Sequence, residues 1–147
     1  MENNIIAIVP FGATSLIVWF ENGVSKLFDA ATLGITSSEQ NARASITDDG
    51  ASVTWNESVS ISADELFKQG STFDFVTNEK KRLLKELASI RRDSSLSQTR
   101  LGEAAGIRQS VISRIEGCEI SPQINTLLKL LAPMGKTLAI VDINDSQ

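Results

Sequence analysis

The chain has 147 residues, of which 41% are hydrophobic and 22% charged, and its formal net charge is -4. This composition is ordinary for a globular protein and excludes intrinsic disorder. The chain has no histidine and one cysteine, Cys118, which together exclude an intramolecular disulfide, a histidine-dependent catalytic triad and a zinc site within one chain.

The net charge conceals a contrast between two halves. Residues 1–75 contain three basic and ten acidic residues, a net charge of -7, whereas residues 76–147 contain eleven basic and eight acidic residues, a net charge of +3. A basic half suits contact with phosphates, and a dimer would double the basic face. An ordinary solvated surface would also explain so small an excess.

The first apolar run argues against export. Ile5–Phe11 is interrupted by Pro10 and has no basic flank, so we expect neither a secretion signal nor a membrane span. The sequence therefore predicts a cytoplasmic protein.

The first half has the pattern of a β-rich domain. Residues 4–10 and 15–20 are rich in strand-forming side chains. Asn22-Gly23 then separates the second run from residues 24–28, and Asn-Gly between strand-prone runs predicts a hairpin, because both residues tolerate positive φ.

A second hairpin and a helix are predicted further on. Asp48-Asp49-Gly50 lies between strand-prone residues 42–46 and 51–55. Residues 32–41 are expected to form a loop with one or two turns at most. Ser62 is expected to cap a short helix that ends at Gly70.

Three segments resemble a small α+β domain of a family without assigned function. They are F-E-N-G-V-S-K-L-F-D (20–29), S-V-T-W (52–55) and I-S-A-D-E-L-F (61–67). The resemblance implies a fold but says nothing about an activity. Trp19 and Trp55 could stack on a ligand, but aromatic side chains on strands of so small a domain are more often core.

Nothing in the sequence predicts catalysis. The candidate acids Asp48, Asp49, Asp64 and Glu65 fall at turns or helix starts, where carboxylates have structural uses. No nucleophile has a base partner, and the glycines are too isolated to form a phosphate-binding loop. We therefore expect no enzyme, no cofactor and no metal site.

A long amphipathic helix is predicted after a linker at residues 70–78. Thr77 or Asn78 could cap it, and it would run to about Arg92. Its apolar face comprises Leu83, Leu84, Leu87 and Ile90. Most of its cations are expected to be solvated, but Arg91 and Arg92 lie nearest the next motif and are predicted to contact phosphate.

The most specific pattern in the chain follows, L-S-Q-T-R-L-G-E-A-A-G-I-R-Q-S-V-I-S-R-I-E at residues 96–116. Ser97 can cap a first helix that Gly106 ends. A second helix follows with its apolar residues Val111, Ile112 and Ile115 at helical spacing. Two helices joined by a tight glycine turn make a helix-turn-helix.

This motif resembles the helix-turn-helix of the phage-repressor-like, or Xre, family over roughly residues 83–143. The resemblance implies that the second helix enters the major groove of double-stranded DNA. It also implies that Gln98 anchors a phosphate and that a set of polar residues faces the groove, namely Arg108, Gln109, Ser110, Ser113 and Arg114. Arg108 stands where the family usually has Ser or Thr, so a capping hydroxyl is lost and a cation gained.

The residues after the motif are expected to complete a helical core. Ser121-Pro122 predicts the start of a last helix, whose core side chains would be Ile124, Leu127, Leu128 and Leu131. The resemblance to the Xre family implies a capping or ion-pairing role for Glu116 and no contact with DNA, and Cys118 is expected to be incidental.

The tail, at residues 136–143, is predicted to be a strand. It resembles the C-terminal strand of HipB-like antitoxins, in which the strands of two subunits pair. The resemblance implies a homodimer with Leu138, Ile140 and Ile143 in the interface, and pairing would cover an otherwise open strand edge. The alternative is that residues 137–143 join the N-terminal sheet of their own chain.

Together these features predict an α+β protein with two domains. Residues 1–72 would form a small antiparallel β-rich domain that binds a partner or ligand, and residues 77–147 an all-α, lambda-repressor-like helix-turn-helix domain with a terminal β-strand. The predicted function is sequence-specific transcriptional repression by the antitoxin of a toxin–antitoxin pair that autoregulates its operon, with a small basic toxin as partner. Two alternatives stay open: a solitary ligand-responsive regulator, and a protein-interaction module that no longer binds DNA.

Overall fold

The computed structural model describes residues 3–145 and divides them into two compact units. The first unit comprises the described residues up to Asp74 together with those from Val141 onward, and the second is Phe75–Ile140. The described end of the chain therefore packs with the first half, whereas the sequence suggested a second domain over residues 77–147.

The first unit is β-rich, as predicted. Its elements in chain order are β1 (Ile5–Phe11), β2 (Ser15–Phe20), β3 (Ser25–Asp29), α1 (Ser38–Asn41), β4 (Ser45–Thr47), β5 (Ser52–Asn56), β6 (Val59–Ser62), α2 (Ala63–Gln69) and β7 (Ser71–Thr72), with 3-10 turns at Ala30–Leu33 and Asp48–Gly50. Antiparallel pairing gives one sheet in the order β1-β2-β3-β7 and another in the order β4-β5-β6.

Both predicted hairpins form. Gly23 has a φ of +83° in the β2–β3 turn, and Asp48 and Asp49 adopt φ of +50° and +57° before β5. These left-handed conformations are the reason that Asn, Asp and Gly signal such turns. The helix predicted after Ser62 is α2, whose first turn is capped by the Ser62 hydroxyl accepting from the Glu65 amide at 3.2 Å.

The sequence pattern did not predict strand β6. This strand has four residues, and it follows a turn in which the Asn56 side chain accepts from the amides of Ser58 and Val59. An Asn that bonds the backbone two and three residues ahead is a turn signal, so Asn56 was the available clue. The predicted strand at residues 42–46 is shorter than expected, because Ala42 and Arg43 continue the turn of α1 and only Ser45–Thr47 pairs.

One buried polar side chain, that of Asn41, ties the two sheets of this unit together. It is fully buried, donates to the Ser15 carbonyl of β2 at 2.7 Å and accepts from the Trp55 indole N–H of β5 at 3.1 Å. The apolar core around it includes Leu16, Val18, Phe20, Phe28, Val53 and Leu66. Trp55 is therefore a core residue, as its place on a strand suggested.

The second unit consists of helices α3 (Phe75–Asp93), α4 (Gln98–Ala105), α5 (Gln109–Glu116) and α6 (Ile124–Leu131), with a 3-10 turn at Ala132–Met134. The first helix begins at Phe75, so Thr77 and Asn78 lie in its first turn and do not precede it. The buried side chains that hold the unit together come from every helix: Leu84, Leu87, Leu101, Ile112, Ile115, Leu127, Leu130 and Leu131.

The predictions for α6 need correction. The helix begins at Ile124, and the Ser121 hydroxyl does not cap it but accepts from the Lys80 ammonium at 2.8 Å. This start turns Leu127, Leu130 and Leu131 inward, because they share one helical face. Ile124 and Leu128, predicted to be core, are 67% and 37% exposed.

The predicted terminal β-strand is not formed within the chain. Residues 136–142 have no regular structure, and Ile143–Asp145 is a 3-10 turn. A strand is defined by its hydrogen-bonded neighbour strand, and none of the strands formed by residues 3–145 pairs with this segment. The alternative that residues 137–143 join the N-terminal sheet is therefore wrong. Instead, the Asn144 side chain holds the chain end to the β1–β2 turn, since it accepts from the Gly12 amide and donates to the Pro10 carbonyl.

Within the described part of the chain, no helix has the length and apolarity that crossing a membrane requires.

Candidate nucleic-acid interface

The helix-turn-helix forms where the sequence predicts it. The Ser97 hydroxyl caps α4 by accepting from the Arg100 amide at 3.0 Å, and Gly106 ends this helix with a φ of +71°. The left-handed conformation at Gly106 reverses the chain within three residues, since α5 begins at Gln109. Leu101, Ile112 and Ile115 are buried between the two helices and the rest of the unit.

The start of α5 lacks a side-chain cap, as the substitution of Arg for Ser or Thr implied. Arg108 is the residue before the helix, with an extended backbone, and its guanidinium makes no capping hydrogen bond. Its side chain is exposed. The chain thus has a cation at the position where a hydroxyl would have stabilised the first turn.

The five residues predicted to face the groove all lie on the exposed surface of α5 or at its start, namely Arg108, Gln109, Ser110, Ser113 and Arg114. The opposite face of the same helix is buried through Ile112 and Ile115. This division leaves one polar helix face free of the core, with two cations and three neutral hydrogen-bonding side chains.

Arg91 has an intramolecular role that the sequence did not predict for it. Its Nε donates to both carboxylate oxygens of Glu116, at 2.8 and 3.0 Å, and one terminal nitrogen donates to the Leu96 carbonyl at 2.8 Å. The ion pair is largely buried, with side-chain exposures of 13% for Arg91 and 9% for Glu116. It joins the end of α3, the loop before α4 and the end of α5. Glu116 thus has the ion-pairing role expected of it.

Two glutamines extend this ion pair to the exposed surface. The Gln98 side-chain amide donates to Glu116 Oε1 at 3.2 Å, and its oxygen accepts from the Gln109 side-chain amide at 2.7 Å. The sequence gave roles to both glutamines but did not predict their bond. The available signal was that each is the first residue of its helix in a motif that brings the two helix starts together.

The remaining cations of the second unit are mostly exposed. Arg92, predicted to contact phosphate, is exposed at the end of α3. Arg82 is held by Glu79 and Glu86, and their hydrogen bonds raise its pKa above the ordinary arginine value. Arg82 therefore remains a paired surface cation, in keeping with the expectation that most α3 cations serve the solvated surface.

The acidic residues and surface cavities of the first unit are the remaining candidate places for a metal or ligand site. Among the described residues, no group of three acidic, cysteine or histidine side chains could hold a metal ion. One surface cavity of about 170 Å³ is lined by Asn3, Asn4, Ala51, Ser62, Ala63 and Asp64. Another, of about 490 Å³, is lined by Pro10, Phe11, Gly12, Ser38, Ala42 and Asn144. Neither lining includes Trp19 or Trp55.

The three residues predicted for dimerisation lie in different surroundings. Leu138 is half-buried against the helical core, Ile140 is fully exposed, and Ile143 is half-buried in the turn near the chain end. Leu138 also lines a groove of about 170 Å³ between α3 and α6. Ile140 therefore offers the largest apolar surface of the three.

Comparison with known proteins matches the interface to a described family. A family model described as "Helix-turn-helix" matches residues 87–141. A Haemophilus influenzae protein called an uncharacterised HTH-type transcriptional regulator is 46% identical over 67 residues, which are 46% of this chain and 68% of that protein. The Escherichia coli HTH-type transcriptional regulator PuuR is 46% identical over 55 residues, 37% of this chain, but the match spans only 30% of PuuR.

A solved structure is also similar to part of the chain. It is described as a toxin–antitoxin module from Streptococcus pneumoniae, is 35% identical, and aligns with a TM-score of 0.39 over 56% of this chain and 82% of its own.

The uncapped start of α5 leads to a stability prediction. We expect Arg108→Ser to raise the free energy of unfolding of the helical unit by about 1 kcal/mol, because the hydroxyl would satisfy an open amide of the first turn. Urea unfolding followed by far-ultraviolet circular dichroism measures this. Arg100→Ser, the same change inside α4, should not stabilise. Both tryptophans lie in the first unit, so the unfolding transition followed by tryptophan fluorescence should have the same midpoint in either variant as in the wild type. An Arg108→Ser protein no more stable than the wild type would show that the amides are already satisfied.

Proposed function

We propose that this chain, which belongs to the helix-turn-helix family of transcriptional regulators, is a homodimeric repressor of its own promoter and the antitoxin of a toxin–antitoxin pair. Its family makes it a DNA-binding regulator of transcription and not an enzyme. We propose in addition which residues contact DNA, that the chain forms a dimer, that it represses its own promoter and that it binds a toxin.

The observation that carries the DNA proposal is the two-sided character of α5. Its inner face is buried in the helical core, while its outer face is polar and exposed. A helix with such a face fits the major groove of B-form DNA, where each base pair presents a distinct set of donors and acceptors. In this proposal α5 is the recognition helix.

The side chains on this face suit direct base reading. Gln109 has the amide geometry to accept from and donate to the adenine edge, and Arg114 can donate two hydrogen bonds to guanine. Each such pair contributes roughly 1–3 kcal/mol of discrimination against other bases. Arg108, Ser110 and Ser113 lie beside them on the same exposed surface.

Phosphate contacts would set affinity without reading sequence. We propose Arg92 and the second N–H of the Gln98 amide for this role, since Arg92 is exposed and Gln98 stands at the start of α4. Arg91 is assigned to the ion pair with Glu116 and not to phosphate. The net charge of +3 over residues 76–147 supports attraction to DNA, which salt would weaken.

Dimerisation through the tail is proposed from its resemblance to HipB-like antitoxins and from the exposure of its side chains. Ile140 is fully exposed and Val141 is 56% exposed, in a segment that pairs with none of the described strands. Pairing with the same segment of a second copy would satisfy the backbone and cover the apolar side chains. Two α5 helices related by a twofold axis would then read half-sites about one helical turn of DNA apart.

The antitoxin role rests on the tail resemblance and on the charge of the first half. The net charge of -7 over residues 1–75 complements a small basic partner, such as a toxin that acts on RNA. The alternative of a ligand-responsive regulator depended on an exposed tryptophan beside a pocket. Trp55 is instead buried with its indole N–H bound to Asn41, so this alternative has no supporting observation at Trp55.

The first prediction of this proposal concerns operator binding. The protein should bind DNA from immediately upstream of its own gene in a gel-shift assay, in the presence of excess competitor DNA and more weakly at higher salt. Gln109→Ala should lower the preference for one base pair of the operator, measured with fragments varied at each position. Failure to bind at low salt would contradict autoregulation, and an unchanged base preference in Gln109→Ala would contradict the reading assigned to this residue.

The second concerns the dimer. Ile140→Asp should convert a dimer to a monomer at micromolar concentration, because pairing would bury a carboxylate at an apolar contact. Size-exclusion chromatography with light scattering measures the mass. Ala139→Asp is the matched control, since neighbouring side chains of an extended segment point to opposite faces. A wild-type protein that is monomeric, or an Ile140→Asp protein that stays dimeric, would place the interface elsewhere.

The third concerns the toxin. If the chain is an antitoxin, a small basic protein encoded beside its gene should co-purify with it, and the complex should dissociate at high salt because the attraction is electrostatic. Co-expression and affinity purification test this. No complex at micromolar concentrations would exclude the antitoxin role while leaving the DNA-binding proposal intact.

A further inference from the structure

We infer that Glu116 is a positioning residue for base reading: its carboxylate fixes the orientation of the Gln98 amide, which in turn fixes the orientation of the Gln109 amide and makes it selective for adenine. The inference rests on the proposed base reading by Gln109. It depends on the chain of side-chain hydrogen bonds that runs from Glu116 through Gln98 to Gln109, here called the glutamine relay.

The relay has a direction because its inner end can only accept. An ionised carboxylate has no hydrogen to donate, whereas a side-chain amide has one accepting oxygen and one donating nitrogen. Glu116 already accepts from Arg91, which can only donate, so this pair offers Gln98 an acceptor. Gln98 must therefore turn its nitrogen toward Glu116 and its oxygen toward Gln109, the arrangement that the structure shows.

The same logic sets the outer end. The Gln98 oxygen accepts from the Gln109 nitrogen at 2.7 Å, so Gln109 keeps its oxygen and one N–H for a ligand. An acceptor beside a donor complements the major-groove edge of adenine, which offers the N6 amino group and the N7 acceptor. With the relay reversed, Gln109 would accept from Gln98 and present its NH₂ group outward, which suits the two acceptors of guanine.

Burial gives the relay its rigidity. The Glu116 side chain is 9% exposed and held by Arg91, and Gln98 is half-buried, while Gln109 is exposed. A buried group that is fully hydrogen-bonded resists reorientation, because turning it would leave a donor facing a donor. The buried carboxylate thus fixes which atom of each amide, Gln98 and Gln109, donates and which accepts. Without it, either amide could rotate by about 180° at little cost.

The test replaces the carboxylate by an amide of the same shape. Full-length wild-type protein first selects its binding sites from a random DNA pool, and Gln109→Ala identifies the base pair that Gln109 reads. Affinities of wild-type and Glu116→Gln proteins are then measured at pH 8 for fragments with adenine or guanine at that position. At this pH carboxylates are ionised.

We expect the wild-type protein to prefer adenine by about fivefold to 150-fold, the range for one bidentate contact. In Glu116→Gln the two relay orientations would both form, so affinity for the adenine fragment should fall about twofold and the adenine-to-guanine ratio should approach one. A purely structural role for Glu116 would instead lower stability and the affinity for both fragments alike, with the ratio unchanged.

The matched control is Glu103→Gln. It makes the same chemical change on α4, where Glu103 forms an exposed ion pair with Arg100 at 3.6 Å outside the relay. Removing this negative charge should change the affinity for both fragments by the same factor. A change in the ratio in Glu103→Gln would attribute the effect to charge alone and overturn the inference.

A second variant covers the case in which Glu116→Gln does not fold, as judged by circular dichroism. Gln98→Met removes the relay and leaves the ion pair intact, and it should also bring the ratio toward one. An unchanged adenine preference in either folded variant would overturn the inference. If the wild-type protein selects no sequence at all, the proposed function fails instead, so the two failures are distinguishable.

Discussion

The buried ion pair between Arg91 and Glu116 is the interaction on which the DNA-binding unit depends. It fixes the end of α3, the loop before α4 through the Leu96 carbonyl, and the end of α5. Removing one partner of a buried pair costs about 3–5 kcal/mol, because the other charge is left without compensation. That is a large share of the stability of a small domain. The same pair supports Gln98 and so connects stability to the exposed face of α5, the proposed recognition surface.

Local pattern predicted most of this unit because its helices carry their own signals. Ser97 and Gly106 bound α4, and the spacing of Ile112 and Ile115 gives the inner face of α5, so the outer face follows by geometry. The assignment of Arg91 to phosphate illustrates the limit. Charge and position in sequence suggested contact with DNA, but its partner, Glu116, is 25 residues away, and only the packing of α3 on α5 brings the two together.

The predictions that fell short depended on contacts with distant parts of the chain or with other chains. The α6 register was misjudged because Ser121 bonds Lys80, 41 residues earlier, and does not cap its own helix. In the first unit, turn residues located both hairpins, but nothing local revealed that Asn41 would be buried between Ser15 and Trp55. The tail is a different case, since residues 136–142 pair with no described strand of their own chain and the proposed ladder requires a second copy.

At Arg108 the proposed recognition surface departs from the best local structure. A hydroxyl at this position would cap α5, and the chain instead carries an exposed guanidinium that makes no capping bond. The missing cap costs about 1 kcal/mol, which the buried face of the same helix readily offsets through Ile112 and Ile115. Because α5 is held by its buried face and by the ion pair of Glu116, it can form without an N-terminal side-chain cap. Its first turn is therefore free to present a cation and the Gln109 amide to a ligand.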